Sequence, residues 1–259
     1  VFHFVADLGN SRLKWARVDH DGSLVERVAL PLDDLAWEQA WSQSAVLSQG
    51  PSVWAISSVN PPLAARLADF LRARPVVGVT WYVAAVEVPG PKDVEGAEIG
   101  GADRALAVFA ASRLMPRGQP GLVVSCGTAI CVERLTAEGV WQGGAIAPGL
   151  GPMASALHLR TAQVPLLDTR QFDANCPPPA WGRGTIGSLT AGLFWGTVGV
   201  VRELVARQSS DMNREPWIIW AGGDAELLAP FVSGEAARVE PHLVLIGLAQ
   251  VAVIQHEPG

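Results

Sequence analysis

One strand–turn–strand pattern occurs twice in this 259-residue chain, and it constrains the fold more than any other feature. Val5-Ala6-Asp7-Leu8-Gly9-Asn10-Ser11 lies over Val123-Val124-Ser125-Cys126-Gly127-Thr128-Ala129 at a constant spacing of 118 residues. In each copy an apolar run reaches a glycine, then Asn or Thr, then a small residue, and a second strand-like run follows. Self-similarity at a fixed spacing is the mark of a repeated unit. At roughly 100–200 residues per domain, the length accommodates two. We therefore expect an N-terminal domain over 1–117 and a related C-terminal domain over 118–259, with a ligand cleft between them.

The rest of the chain supports an α/β reading of both copies. Runs rich in β-branched and aromatic residues predict strands at Phe2–Asp7, Leu13–Val18, Ser52–Ser58 and Val76–Ala84. In the second half the same signal falls on Gly121–Val124, Ile130–Leu135, Val140–Ile146 and Trp217–Trp220. Apolar residues at helical spacing predict helices over Leu63–Arg74, Ala102–Leu114, Leu150–Leu159, Ile186–Arg207, Ala225–Phe231 and Leu243–Ile254. Residues 89–100 and 173–185, rich in Pro and Gly, read as loops. Strands alternating with helices argue for α/β layers.

Composition narrows the classes of function. With 49% hydrophobic and 17% charged residues, the chain is not intrinsically disordered. A formal net charge of −6 argues against a broad electrostatic grip on nucleic acid. The opening run Val1–Asp7 has no basic segment and reads as a strand, not a secretory signal. The apolar stretches Val76–Val86 and Leu243–Ile254 are too short to span a membrane, so no membrane partner is expected. Three cysteines, Cys126, Cys131 and Cys176, suggest a reducing cytoplasm. Cys126 and Cys131 read as small buried hydrophobes, not zinc ligands. Lys14 and Lys92 are the only lysines, and no P-loop sequence is present. The tryptophans follow no period and read mainly as core.

Several short segments have residue types suited to phosphate chemistry. After the first strand, Asp7 is placed to hold magnesium, Gly9 to admit a ligand to the backbone, and Asn10 and Ser11 to donate to a phosphate. An ordinary hairpin turn accounts for the same four residues. Gly101-Ala102-Asp103-Arg104 opens a helix, where Asp103 suits either a general base or a first-turn acid favoured by the helix dipole. Arg104 suits a substrate carboxylate. Gly143-Gly144 to Gly149 suits close approach of backbone to a nucleotide, or a bulge and turn. Gly222-Gly223-Asp224 suits an adenosine seat or a tight strand-to-helix connection. His158 by itself reads more readily as a packed or surface residue than as a ligand.

Taken together and in order, these segments resemble the type III pantothenate kinases. The matching elements are Asp7-x-Gly-Asn-Ser, Gly101-Ala-Asp-Arg104, Gly127-Thr-Ala129, Gly143-Gly-x-Ile-x-Pro-Gly149, Gly184-Thr185, Gly222-Gly-Asp224 and His242-Leu-Val-Leu-Ile-Gly-Leu248. The resemblance implies a duplicated ribonuclease-H-like α/β fold, shared by acetate and sugar kinases, Hsp70 and actin, with ATP in the cleft between two domains. It implies ATP-dependent phosphorylation of pantothenate to 4'-phosphopantothenate, the first step of coenzyme A biosynthesis. It also implies Mg2+, a monovalent cation (K+ or NH4+), and a cytoplasmic homodimer. Carried over by position, Asp103 is the general base and Asp7 the carboxylate supporting magnesium and phosphate. Gly101, Arg104 and His158 contact pantothenate, and Thr185 reaches the substrate of the neighbouring subunit. Gly9, Asn10, Ser11, Gly127 and Thr128 cradle phosphates, and Gly222 and Gly223 flank adenosine.

The chain departs from that family at four positions. Where the second phosphate segment usually has Asp, Thr and a further Asp, this chain has Ser125, Cys131 and Glu133. Ser125 removes a negative charge, and a hydroxyl binds cations far more weakly than a carboxylate. Val94 stands where the family tends to have Tyr. These departures define the competing reading, a catalytically weak or inactive relative that binds nucleotide or a pantothenate-like ligand as a regulator. The glycine-studded helix Ile186–Arg207 is expected to pack against its copy in the dimer.

Overall fold

The computed structural model describes residues 2–235 and 237–256. Both halves open with three antiparallel strands, as the repeat requires. In the first half these are β1 (Phe2–Leu8), β2 (Leu13–Val18) and β3 (Leu24–Leu30). They are followed by α1 (Asp34–Gln43), β4 (Ser52–Ser58), α2 (Pro61–Arg72), β5 (Val76–Tyr82) and α3 (Ala102–Leu114). The second half has β6 (Gly121–Cys126), β7 (Ala129–Leu135), β8 (Trp141–Pro148), α4 (Leu150–Arg160) and α5 (Thr185–Ser209). It closes with β9 (Trp217–Ala221), α6 (Ala225–Ser233), β10 (Arg238–Val239) and α7 (Leu243–His256).

The sheet orders are β3-β2-β1-β4-β5 and, read in the same sense, β8-β7-β6-β9-β10. In the first sheet β1 pairs antiparallel with β2 and parallel with β4; in the second, β6 does the same with β7 and β9. Asp7 and Ser125 thus occupy equivalent places on equivalent central strands. Among the described elements α4 is the helix without a counterpart in the first half.

Strand periodicity decides which face each side chain takes. Phe4, Ala6 and Leu8 of β1 join Trp54 and Ile56 of β4 in a core closed by Trp37 and Trp41 of α1 and by Leu67, Phe70 and Leu71 of α2. Trp54 lies at its centre, stacked on Phe4 at 4.8 Å and on Trp41 at 6.1 Å. The opposite face carries Val5 and Asp7 and receives α7. The second sheet repeats this division: Leu122, Val124 and Cys126 pack with Phe194, Val198 and Val201 of α5 and with Leu228 of α6, and Ser125 faces the other way. Helix starts follow local chemistry. Asn60 caps α2 by accepting from Leu63 N–H at 3.2 Å, ahead of Pro61 and Pro62. Asp33 does the same for α1 through Ala36 N–H at 2.8 Å.

The chain folds as two compact units, Val1–Gly90 with Val94–Arg113 and His242–Gly259, and Pro91–Asp93 with Leu114–Pro241. The sequence-based cut at 117/118 differs from this mainly in α7, which returns to the first unit. Gly247 permits that return, because a Cβ there would stand 2.4 Å from the carbonyl oxygen of Leu106 in α3.

Some expectations are corrected. The segment between β2 and β4 holds β3 and α1, whose weak patterning concealed them. Strand β5 stops at Tyr82, not Ala84, where a short 3-10 turn begins at Ala85. Helix α5 runs two residues beyond the expected C-terminal end and is long and apolar enough to cross a membrane by length and composition, which the stretches considered from sequence are not. Its buried side belongs to the core of the second unit. Cys126 and Cys131 are buried and Cys176 exposed. Trp15, Trp37, Trp41, Trp54, Trp141 and Trp220 are core residues, whereas Trp181 is 68% exposed.

Candidate active site

In the first unit the β1–β2 turn and the start of α3 bring carboxylates together. Asp7 is the penultimate residue of β1 and only partly accessible. Its neighbours in register are Lys14 on β2 and Ser57 on β4. Loss of hydration raises the Asp7 carboxyl to about 6; Lys14 opposes the rise and the negative charge of Asp103 adds to it. Asp7 and Asp103, far apart in sequence, are therefore within electrostatic reach of each other in one unit. The β1–β2 turn closes through Gly9 N–H donating to the Arg12 carbonyl at 3.1 Å. A Cβ at Gly9 would meet only that oxygen, at 3.6 Å, so the turn itself does not demand glycine. Asn10 and Ser11 are exposed. Asn60 Nδ2 donates to Asn10 Oδ1 at 2.9 Å, which ties the turn to the cap of α2.

Asp103 and Arg104 occupy the first turn of α3, where exposed amide dipoles favour negative charge. The Asp103 carboxylate folds back over Gly101: a Cβ there would stand 2.5 Å from Asp103 Oδ1 and 3.2 Å from Val59. Arg104 N–H donates to Asp103 Oδ1 at 2.8 Å. Both side chains are partly buried.

In the second unit three backbone segments converge at the C-terminal end of β6. The Gly127–Ala129 turn closes through Gly127 N–H to the Ala129 carbonyl at 3.0 Å. Gly149 N–H donates to the Thr128 carbonyl at 3.0 Å, and Asp224 N–H to the Cys126 carbonyl at 3.0 Å. Gly222 has φ +90°, and a Cβ there would lie 2.2 Å from the Cys126 carbonyl oxygen, so only glycine fits. Gly127 and Gly223 have nothing within 4 Å of such a Cβ. Their glycines are free of fold constraints and leave the backbone open to an approaching ligand. The ends of parallel strands such as β6 and β9 are a favoured binding position in α/β sheets.

Ser125 sits beside Cys131 and Ala221 in register, so neither of its strand partners is a carboxylate. Glu133 is 1% exposed and accepts from Trp141 Nε1 at 2.9 Å, a buried structural placement. Burial raises the Cys126 thiol and keeps it protonated. Among the described residues no group of three or more His, Cys, Asp or Glu could hold a metal. Magnesium does not need one, since it keeps several waters and takes one or two carboxylates plus substrate phosphates. Partly accessible Asp7 fits that demand.

His158 and Thr185 lie outside those turns, on α4 and α5. His158 is exposed in the last turn of α4, about 13 Å of helix from Gly149 at 1.5 Å per residue. Its Nδ1–H donates to the Val164 carbonyl at 2.8 Å, which leaves Nε2 without that contact. Thr185 is exposed as the first residue of α5. Sequence reasoning overlooked Lys14 and Ser57, which only strand register places beside Asp7. Tyr82, the single tyrosine, is Ser57's register partner on β5 and is buried there.

A family model described as type III pantothenate kinase matches residues 3–207. A type III pantothenate kinase from Janthinobacterium sp. (strain Marseille) is 34% identical, covering 98% of each chain. Solved structures share the fold at low identity. An archaeal actin homologue superposes with a TM-score of 0.55 at 11% identity, covering 98% of this chain and all of the other. The activator of the 2-hydroxyisocaproyl-CoA dehydratase from Clostridium difficile, with bound ADPNP, gives 0.51 at 11% identity, covering 100% and 98%. Together with the repeated sheet order, these likenesses give the chain the duplicated ribonuclease-H-like fold of the actin and sugar-kinase class.

Proposed function

The chain belongs to the type III pantothenate kinase family, and from that premise we propose that it transfers the γ-phosphoryl group of ATP to the primary hydroxyl of pantothenate, opening coenzyme A synthesis. The observation that carries this reading is the placement of Asp7 and Asp103 in one unit, within reach of each other's charge. Phosphoryl transfer asks a protein mainly for positioning and electrostatics. Asp103 accepts the proton of the attacking hydroxyl, held over Gly101 in the first turn of α3. Arg104 pairs with the pantothenate carboxylate. The turn Gly9-Asn10-Ser11 supplies donors to the phosphates, as do Gly127 and Thr128, and Gly222 and Gly223 seat the adenosine. Magnesium, when bound with the nucleotide, neutralises phosphate charge, and Asp7 would hold it directly or through water.

Finer features complete the reading. A monovalent cation is served by neutral oxygens near Ser125 and the Gly127 turn. His158 Nε2 accepts from pantothenate. The protein is a cytoplasmic homodimer in which Thr185 reaches the partner's substrate. Support for the dimer comes from α5: Gly192, Gly196 and Gly199 are exposed along one side with open space around them. Leu157, Leu159, Trp181 and Ile186 are exposed in the same unit. Purified protein with ATP, Mg2+, K+ or NH4+ and pantothenate should form 4'-phosphopantothenate, and Asp103→Asn should abolish turnover. A parent protein that binds nucleotide without turnover would overturn the reading.

A further inference from the structure

Strand β4 carries three buried serines, and only one of them has no partner. Ser52 Oγ accepts from Trp54 Nε1 at 3.0 Å. Ser58 Oγ accepts from Asn60 N–H at 3.2 Å. Ser57 is 0% exposed, and its Oγ makes no hydrogen bond. A buried hydroxyl without a partner is unfavourable, and most such groups in folded proteins are satisfied. The preceding residue on the same face of β4 is Ala55, which has no hydroxyl.

The register shows what Ser57 is beside. It pairs in parallel with Asp7, and Asp7 pairs in antiparallel with Lys14, so the three side chains form a row on one face across β4, β1 and β2. Adjacent strands lie about 4.8 Å apart. A change of rotamer then brings a serine hydroxyl and a neighbouring carboxylate into hydrogen-bond range. Lys14 flanks the carboxylate on one side with a positive charge, and Ser57 flanks it on the other with a donor.

We infer that Ser57 is a positioning residue for Asp7: unpartnered in the ligand-free chain, its hydroxyl turns to donate to the Asp7 carboxylate when magnesium and nucleotide bind, and it fixes the orientation in which that group serves them. The inference rests on the kinase reading of Asp7. Ser57 is fully buried, so it acts through Asp7. Partners that orient a metal-binding carboxylate commonly contribute about 10–100-fold in metal affinity or activity.

The test compares the parent with Ser57→Ala and Ser57→Thr. Without nucleotide and in chelator, Ser57→Ala should melt at or above the parental temperature, because an unsatisfied hydroxyl has been removed. Its kcat should fall about 10–100-fold with KM for pantothenate within about twofold. The magnesium concentration for half-maximal activity should rise, and the melting-temperature increase caused by Mg·ATP should shrink. Ser57→Thr should restore both; if it does not fold, Ser57→Ala decides. A Ser57→Ala protein with parental kcat, magnesium dependence and Mg·ATP stabilisation would overturn the inference. So would one that melts lower without ligand and loses activity only in proportion. If the parent has no turnover the kinase reading fails, and the Mg·ATP melting shift still decides Ser57; a parent without that shift overturns both.

Discussion

Replacing Asp7 with asparagine should make the protein more stable and inactive, and the gain should depend on pH. The folded chain holds Asp7 at about 6 against an ordinary 3.8. Between these values the folded state keeps a proton that the unfolded chain has released. Stability from this group is therefore fully present below about pH 4 and is lost as pH rises through 6. Moving a titration by one pH step is worth about 1.4 kcal/mol, so the ionised carboxylate costs the fold roughly 3 kcal/mol above pH 7. Asparagine has no such titration. In metal-free buffer Asp7→Asn and parent should melt together near pH 4. The difference should grow through pH 6 and level off above pH 7 at about 6–12 °C, taking roughly 2–4 °C per kcal/mol for a chain near this size. Adding Mg·ATP should stabilise the parent and not the variant. A melting difference that is flat from pH 4 to 8, or a variant less stable throughout, would refute the reasoning. The physical picture is of a carboxylate held in a poorly hydrated place, where its charge is costly to the fold.

The remaining predictions concern the second unit. Gly222→Ala should destabilise it by about 1–3 kcal/mol, through φ +90° and the Cys126 carbonyl; Gly127→Ala should leave melting unchanged and weaken ATP binding in calorimetry. Trp141→Phe removes the indole donor to buried Glu133 and should cost about 1–3 kcal/mol in denaturant unfolding, with kcat per folded molecule unchanged. Gly196→Trp on the open side of α5 should convert a dimer to a monomer in light scattering; a parent that is already monomeric would remove the trans role of Thr185. Ser125→Asp should change the K+ or NH4+ dependence of turnover, and an unaltered cation profile would place Ser125 outside the cation's surroundings.

Much of this was legible in the residues alone, for a local reason. The 118-residue repeat, the bounds of β4 and α3, and the turn residues after β1 and β6 depend on interactions a few positions apart. Strand alternation, capping by Asn60 and glycine turns are interactions of that range, and composition and spacing report them directly. The family resemblance singles out Asp7, Asp103 and the glycine turns because each lies within a short contiguous segment.

What only the tertiary structure decided involves partners distant in sequence. Asp7 feels Asp103 because α3 begins against Val59, just past β4, the parallel neighbour of β1, which no local pattern states. Ser57 and Lys14 flank Asp7 because β4 enters the sheet parallel to β1 and β2 antiparallel; a shift of one residue would turn either side chain to the other face. Glu133 stands where the family usually has an aspartate, and only the tertiary structure shows it buried and accepting from the Trp141 indole. Helix α7 returns to the first unit because Gly247 allows two backbones to meet. A sequence determines which residues are available and how each segment bends; which of them share one solvent-poor face, and so perturb each other's charge, is set by strand order.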